Sequence, residues 1–382
     1  MTVTPIQAKT LLRVQKKIDS WFLSRAGMNF YRGCAHDCVY CDGRAEKYNV
    51  SGEFASDIGV KTNAIELLER ELAKMAARGI EDGFFVIGGG VGDAYQPLEE
   101  EYQLARKALQ IFCKRSLPVH VLTKSTLILR DIDILTDINA KKRAVVSASF
   151  SSGNDGISAH FEPGVPPPSK RLAMLEEVKK RGLSVGIYLM PLLPAITDSQ
   201  EMIEDVFSRA KDIGVDFIMA GGLTLKDGRQ REYFDKTIHD MYPHTEEEYR
   251  SLYHGDASYR GNAYGQAYGG YYASLNTRIL TAAQKYRMPI RMPRSVWPPL
   301  SINSRVILML EHIDFYLQCA GKRPSYVYAA HAVGALKESL RELTDVSAVN
   351  NVSEDAARVI REILDTGTSA LYERLSGLGG VT

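Results

Sequence analysis

The chain has 382 residues, 45% of them apolar and 24% charged, with 47 basic against 46 acidic side chains. That composition excludes a wholly disordered polymer, a strongly basic nucleic-acid coat and an acidic solvating tail, and the length allows two or three domains or one barrel with additions. Five cysteines, an odd number in a chain this long, exclude a disulfide scaffold.

No long apolar stretch precedes a small-residue cleavage site near the N-terminus. The longest apolar run, 185–196, is interrupted by Gly186, Pro191 and Pro194 and is too short to span a membrane. A cytoplasmic location with no membrane partner is expected, where thiols stay reduced.

From residue 28 to 222 strand-like and helix-like patches alternate. The strand-like runs are 28–31, 84–88, 119–123, 144–150, 185–190 and 216–220, apolar and often β-branched, as strands buried on both faces should be. Leu98, Tyr102, Ala105, Leu109 and Phe112 make one helical stripe, with Cys113 as a small core residue on the same helix. Leu172, Leu175 and Val178 belong to a second helix, opened by the prolines at 166–168 and closed by Gly182. Gly79 and Gly214 mark two further helix ends. Strands joined in this way predict an α/β protein with a parallel sheet, right-handed crossovers and barrel-like closure, its functional loops after the strand C-termini.

After residue 222 the pattern changes. Residues 223–300 hold 10 of the 20 tyrosines and the run GDASYRGNAYGQAYGG. Within 250–300 there are seven Arg or Lys, seven tyrosines and one acidic residue, Asp256. This segment is a candidate substrate lid, with hinges at Gly255, Gly261, Gly265, Gly269 and Gly270. Residues 303–320, 330–343 and 353–375 read as helices, and Cys319 falls near the end of the first as a core residue. The expected division is a lead at 1–27, a barrel at 28–222, the Tyr/Gly-rich basic segment at 223–300 and a helical region at 301–382.

Three of the five cysteines crowd into eight residues, Cys34, Cys38 and Cys41, directly after the first predicted strand. Three thiolates this close can wrap one soft metal centre. A structural zinc site needs four ligands, and no second CxxC is present, so zinc would have to be completed by a residue such as His36. A cubane iron–sulfur cluster would instead keep one iron open to an exogenous ligand.

The spacing C-x3-C-x2-C, with Tyr40 before the last cysteine, resembles the radical S-adenosylmethionine (SAM) superfamily. YRGCAHDCVYCDGR, GDAYQPLEEEYQLARKALQ, LPVHVLTKS, VSASFS and FEPGVPPPSKRLAMLEEVKKRGLSVGIYLMPLLPAITD resemble, in order, its spore photoproduct lyase-like branch over roughly residues 28–222. The resemblance implies a partial (β/α)6 barrel of the TIM type, with a mainly helical C-terminal extension. It implies a [4Fe-4S] cluster on Cys34, Cys38 and Cys41, with SAM on the unique iron. Reductive cleavage of SAM would give a 5′-deoxyadenosyl radical that abstracts a hydrogen atom from the substrate. A flavodoxin- or ferredoxin-type electron donor is the implied partner.

The resemblance also implies SAM contacts. Gly88, Gly89 and Gly90, at the second strand end, match the segment that meets the SAM amino group; the plain alternative is a strand-end turn. Lys124 suits the SAM carboxylate, or opens a surface loop. Ser147 and Ser149 share one strand face and would bond SAM if that face lines the barrel mouth, or serve as core serines. Tyr40 matches the aromatic beside the adenine, or packs under the loop. Glu162 and Arg171 read as a structural pair, and Gly164 stands where the branch usually has an arginine.

Two departures separate the chain from spore photoproduct lyase itself. No cysteine lies between Cys41 and Cys113 to return a hydrogen atom, and Asp42 replaces an aromatic residue. The expected function is a radical SAM enzyme acting on a small molecule or peptide. The alternatives are action on nucleic acid, from the basic tyrosines and Trp297 of 250–300, and a zinc-stabilised binding module without catalysis.

Overall fold

Among the residues described by the computed structural model, 1–48, 50, 52–80, 82–254 and 265–377, ten strands form. They are β1 (Thr2–Ile6), β2 (Arg13–Asp19), β3 (Ser24–Met28), β4 (Tyr31–Arg32), β5 (Asp57–Lys61), β6 (Phe84–Ile87), β7 (Val119–Thr123), β8 (Ala144–Phe150), β9 (Ser184–Leu192) and β10 (Phe217–Gly222). The predicted hinges Gly255 and Gly261, and Asp256, lie outside the described residues.

Seven strands make one sheet in the order β10-β9-β8-β7-β6-β3-β2. Every neighbouring pair is parallel except β2–β3. The sheet curls into a half-barrel with β2 and β10 at its edges, which is the partial TIM-like barrel that the sequence predicts. β1, β5 and β4 form a separate three-stranded sheet. No helix among the described residues is long and apolar enough to cross a membrane.

The strand at 28–31 is corrected. The first parallel barrel strand is Ser24–Met28, and the apolar run catches only its last residue. Ser24, Ala26 and Met28 are buried, while Arg25 and Gly27 are half-buried. That alternation belongs to a strand with one covered face, and it sits beside the antiparallel β2. Residues 1–27 therefore supply β1, β2 and all but the last residue of β3.

The helical stripe from Leu98 to Phe112 is also interrupted. Helices run Glu99–Tyr102 and Leu104–Arg115, with Gln103 between them at φ 51°. The cause is Glu99. Its fully buried carboxylate accepts hydrogen bonds from the backbone N–H groups of Leu104 (2.9 Å), Ala105 (3.0 Å) and Arg106 (3.2 Å). These are donors that a helix start leaves unsatisfied, and the negative charge suits the helix N-terminus. Tyr31 Oη (2.6 Å) and Arg130 Nη2 (3.0 Å) complete its partners.

The first C-terminal helix keeps the length of its sequence pattern, shifted by one residue, while the other two are shorter or divided. The first spans Ile302–Cys319. The second is Tyr326–Ala335 rather than 330–343. The third divides into Glu354–Thr366 and Ala370–Ser376, because Gly367 adopts φ 81° and ends the first piece.

These helices lie across the open side of the half-barrel. Ile302–Cys319 and Tyr326–Ala335 pack on β2, and helix Tyr271–Tyr286 packs on β10 and on Ile302–Cys319. Pro289 accepts the Ile218 N–H at 2.8 Å. Buried Arg291 lies over the rings of Trp21 (4.9 Å) and Phe315 (3.3 Å), joining the N-terminal turn to the C-terminal helices. One apolar core runs through barrel and helices alike.

Glu99→Ala removes the cap of helix Leu104–Arg115 and leaves Arg130 facing only Asp131. The expected loss is about 3–5 kcal/mol of unfolding free energy, read as a lower urea midpoint at unchanged slope.

Candidate active site

The cysteine loop leaves β4 at Gly33, whose φ is +83° and whose position would set a Cβ 2.9 Å from the Phe54 carbonyl oxygen. Cys34 and Cys38 are buried and Cys41 half-buried. All three line one cavity of about 570 Å³ at the C-terminal ends of the barrel strands, together with Tyr40, Gly88, Gly89, Gly90, Asp93, Lys124 and Ser149.

Three thiols on one cavity are a donor set that a cubane cluster can use. Among the described residues, no group of three or more His, Cys, Asp or Glu side chains is placed to hold one metal ion. A cubane takes one thiolate on each of three irons, so its ligands stand further apart than those of a lone zinc. Burial pushes the Cys38 thiol well above its ordinary range and Cys41 up to about 12. Bound iron would hold both as thiolates. The Asp93 N–H points at Cys34 Sγ (3.4 Å), a contact that suits a metal-bound sulfur.

His36 lines the same cavity, between the Cys34 sulfur and Asp93. Its Nδ1 faces Asp93 Oδ2 at 3.4 Å. Burial opposes a charge on the imidazole, but the Cys34 sulfur and the Asp93 carboxylate outweigh it and push His36 up to about 10. Asp93 is itself fixed by Thr123 Oγ1 (2.8 Å) and by the N–H groups of Tyr95 (2.8 Å) and Lys124 (2.7 Å). Burial would raise this carboxyl, yet His36 and these donors hold it below its usual value. Three residues on, Gln96 accepts the Ala35 N–H (2.9 Å) and donates to the Gly33 carbonyl (3.3 Å). The D-x-Y-Q stretch thus props the cysteine loop from beneath.

The three glycines have different reasons to be there. Gly88 has φ +86°, and a Cβ would fall 2.1 Å from the Leu122 carbonyl oxygen. At Gly89 it would fall 2.6 Å from Val86 Cγ1, whereas Gly90 has open space beside it. Gly90 presents bare backbone to the cavity, and its two predecessors are required by packing.

Lys124 Nζ donates to Ser149 Oγ (3.0 Å) and Glu162 Oε1 (2.9 Å) and lies 5.5 Å from the centre of the Tyr40 ring. The fully buried Glu162 also accepts from Tyr40 Oη, Ser151 Oγ (3.0 Å), Ser158 Oγ (2.8 Å) and Arg171. Burial alone would raise Glu162, but Arg171 and Lys124 hold it well below the carboxylate range. The Glu162–Arg171 pair is present, and it does more than the sequence indicates, because it fixes Tyr40 and Lys124 at the cavity wall. Gly164 donates to the His36 carbonyl (3.1 Å), and a Cβ there would sit 2.5 Å from the Ala35 oxygen. No arginine fits at that position.

Ser147 is not brought to the cavity. It is fully buried with its Oγ 2.8 Å from His120 Nε2, deeper in the barrel than Ser149. Other lining residues gave no signal in the sequence: Trp21, Phe22, Tyr188 and Met190 form an apolar wall, with Phe22 stacked on Tyr188 at 5.2 Å. Trp21 and Phe22 come from the N-terminal lead. Cys113 and Cys319 are half-buried and lie away from the cavity.

Four tyrosines of 223–300 face inward, whereas Tyr233 is exposed. Tyr253 and Tyr272 both donate to the Leu223 carbonyl (3.0 and 2.9 Å), Tyr249 to Pro194 (3.0 Å) and Tyr271 to Asp198 (3.1 Å). They hold this segment against the ends of β9 and β10.

Glu162→Gln removes a carboxyl whose folded-state affinity for protons is depressed. Such a group stabilises the fold above its unfolded pKa, about 4.3, and that contribution fades as pH falls below it. In the apo-protein, the gap in urea midpoint between wild type and Glu162→Gln is expected to be widest near pH 7 and to narrow below about pH 4.

Residues 28–207 match the family model of the radical SAM superfamily. Spore photoproduct lyase complexed with dinucleoside spore photoproduct superposes with a TM-score of 0.55 at 16% identity, over 75% of this chain and 79% of that one. A doubly substituted variant of that lyase with bound AdoMet and dinucleoside spore photoproduct gives 0.53 at 16% identity, over the same shares of the two chains. An uncharacterized protein of Mycobacterium tuberculosis strain H37Rv is 29% identical over 233 residues, 60% of this chain and 67% of the relative. One from Methanocaldococcus jannaschii is 27% identical over 218 residues, 56% and 77% of the two chains. At such identity the likeness to the lyase concerns the fold alone. With three cysteines at the spacing of that superfamily gathered on one cavity of a half-barrel, residues 28–207 of this protein are a radical SAM domain.

Proposed function

We propose that this protein is a radical SAM enzyme acting on a small molecule or peptide, with its cluster on Cys34, Cys38 and Cys41 and SAM in the adjoining cavity. The observation that carries this reading is the convergence of three thiols, a bare glycine backbone and a cation on one cavity. When bound, cluster and SAM supply a hydrogen-abstracting 5′-deoxyadenosyl radical.

The chain's own groups have separable tasks. Gly90 lets the SAM amino group approach backbone, and Lys124 with Ser149 faces its carboxylate. Tyr40, held by Glu162, offers a ring for the adenine. Trp21, Phe22, Tyr188 and Met190 keep water from the apolar wall. A volume of about 570 Å³ lies within the range of roughly 300–1,000 Å³ typical of small-molecule sites. The inward hydrogen bonds of Tyr249, Tyr253, Tyr271 and Tyr272 remove four residues that a base-stacking surface would need. The three thiols given to the cluster are the only cysteines lining the cavity among the described residues, so hydrogen return to the substrate would not use a cavity thiol. An electron-transfer protein of flavodoxin or ferredoxin type would supply the electron.

Anaerobic reconstitution tests the reading. About four irons per chain and formation of 5′-deoxyadenosine from SAM with dithionite are expected. Cys34→Ala, Cys38→Ala and Cys41→Ala should each abolish that product. Stoichiometric zinc without iron, or product retained by any of the three variants, would overturn the assignment.

Lys124→Met should weaken SAM binding in equilibrium dialysis by about tenfold, the low end for a charge-assisted contact, because Lys124 already shares its charge with Glu162. An unchanged affinity removes Lys124 from the SAM site.

A further inference from the structure

The match to the radical SAM family model ends at residue 207 and the last strand of the half-barrel at Gly222, yet the cysteine loop is gripped by side chains beyond both. Gln230 is fully buried on helix Arg229–Met241. Its Nε2 stands 2.9 Å from the Tyr40 carbonyl, 2.9 Å from the Thr224 carbonyl and 3.1 Å from Asp42 Oδ1. Its Oε1 accepts the Lys226 N–H at 3.0 Å. Lys226, also buried, sets its Nζ 2.6 Å from Asp42 Oδ1, and Thr224 Oγ1 donates to the same oxygen at 2.9 Å.

These bonds bracket Cys41. Tyr40 precedes it, Asp42 follows it, and both neighbours are tied to residues 224–230. Asp42 and Thr224 also line the cavity with Cys41. Asp42 is the residue that replaces an aromatic in the sequence pattern, so an acid has been set beside the third cysteine together with a buried lysine to neutralise it. A carboxylate left unpaired at this wall would oppose addition of an electron to a neighbouring centre; a lysine left unpaired would favour it.

We propose that Lys226 and Gln230 are positioning residues for the cluster loop, and that the Asp42–Lys226 ion pair sets the local charge at Cys41. This rests on the cluster assignment above. It adds that the segment after the half-barrel is part of the cluster site rather than only a cover for substrate.

The test is the midpoint potential and EPR spectrum of the reconstituted cluster, recorded without SAM or substrate. Lys226→Met leaves Asp42 unpaired, and the potential should become more negative. Asp42→Asn leaves Lys226 unpaired, and the potential should become less negative. Lys226→Arg, which keeps the pair, and the double variant Asp42→Asn/Lys226→Met, which removes both charges, should each return toward wild type. A purely structural role would move both single variants in the same direction or neither. Wild-type protein that loads iron while the single variants show no shift, or shifts of one sign, overturns the inference and leaves the cluster assignment standing. Wild-type protein that takes up no iron overturns both. If Lys226→Met fails to fold, the opposite-signed prediction for Asp42→Asn decides by itself.

Discussion

An irregular loop that turns three cysteines inward cannot satisfy its backbone polar groups through its own secondary structure. Each N–H and C=O it buries must find a partner elsewhere. In this protein those partners come from several directions, among them the Phe54 carbonyl, which accepts the Cys34 N–H at 3.1 Å. Gln96, after β6, serves Ala35 and Gly33. The 161–164 turn serves Val39 and His36, through the Phe161 carbonyl (2.8 Å) and the Gly164 N–H. Gln230 serves Tyr40, and Arg44 within the loop serves Cys38 at 3.1 Å. Much of the remaining architecture around the site can be understood as the means of bringing these groups together.

The same constraint governs the charges. Buried ions are tolerated when each meets an opposite charge and enough hydrogen bonds. Glu162 meets Arg171 and Lys124, Asp93 meets His36, and Asp42 meets Lys226. Each pair has one member on or beside the cavity. The pairs therefore fix the orientation of lining groups before any ligand arrives, which lowers the ordering cost of binding.

A half-barrel leaves two edges and one open side. The C-terminal helices cover that side by packing on β2 at one edge and β10 at the other. The N-terminal lead contributes as well, because its Trp21 and Phe22 line the cavity and meet Arg291 and Tyr188. Segments at opposite ends of the chain thus complete a cavity whose chemical residues lie mostly between 34 and 149. Solvent exclusion from a radical reaction is a property of this whole enclosure and not of the cysteine loop.

The sequence by itself determined what rests on local order. Close cysteine spacing, strand-like apolar runs and strand-end residues announced the barrel and most of the side chains that the fold gathers on one cavity, the three cysteines among them. Period and composition are local quantities, so β7 and β8 were legible to the residue. Tertiary structure decided what depends on distant partners. It placed the first barrel strand four residues early, where pairing with β2 outweighs the apolar run. It broke a continuous helical stripe at Gln103, where Glu99 caps a new start. It drew Ser147 down to His120 and turned Tyr249, Tyr253, Tyr271 and Tyr272 inward. It also joined Asp42 to Lys226, 184 positions apart, an association that no local pattern could announce. Hydrogen bonds and ion pairs between remote segments exist only once the chain is folded, and they fix which candidate side chains reach the cavity.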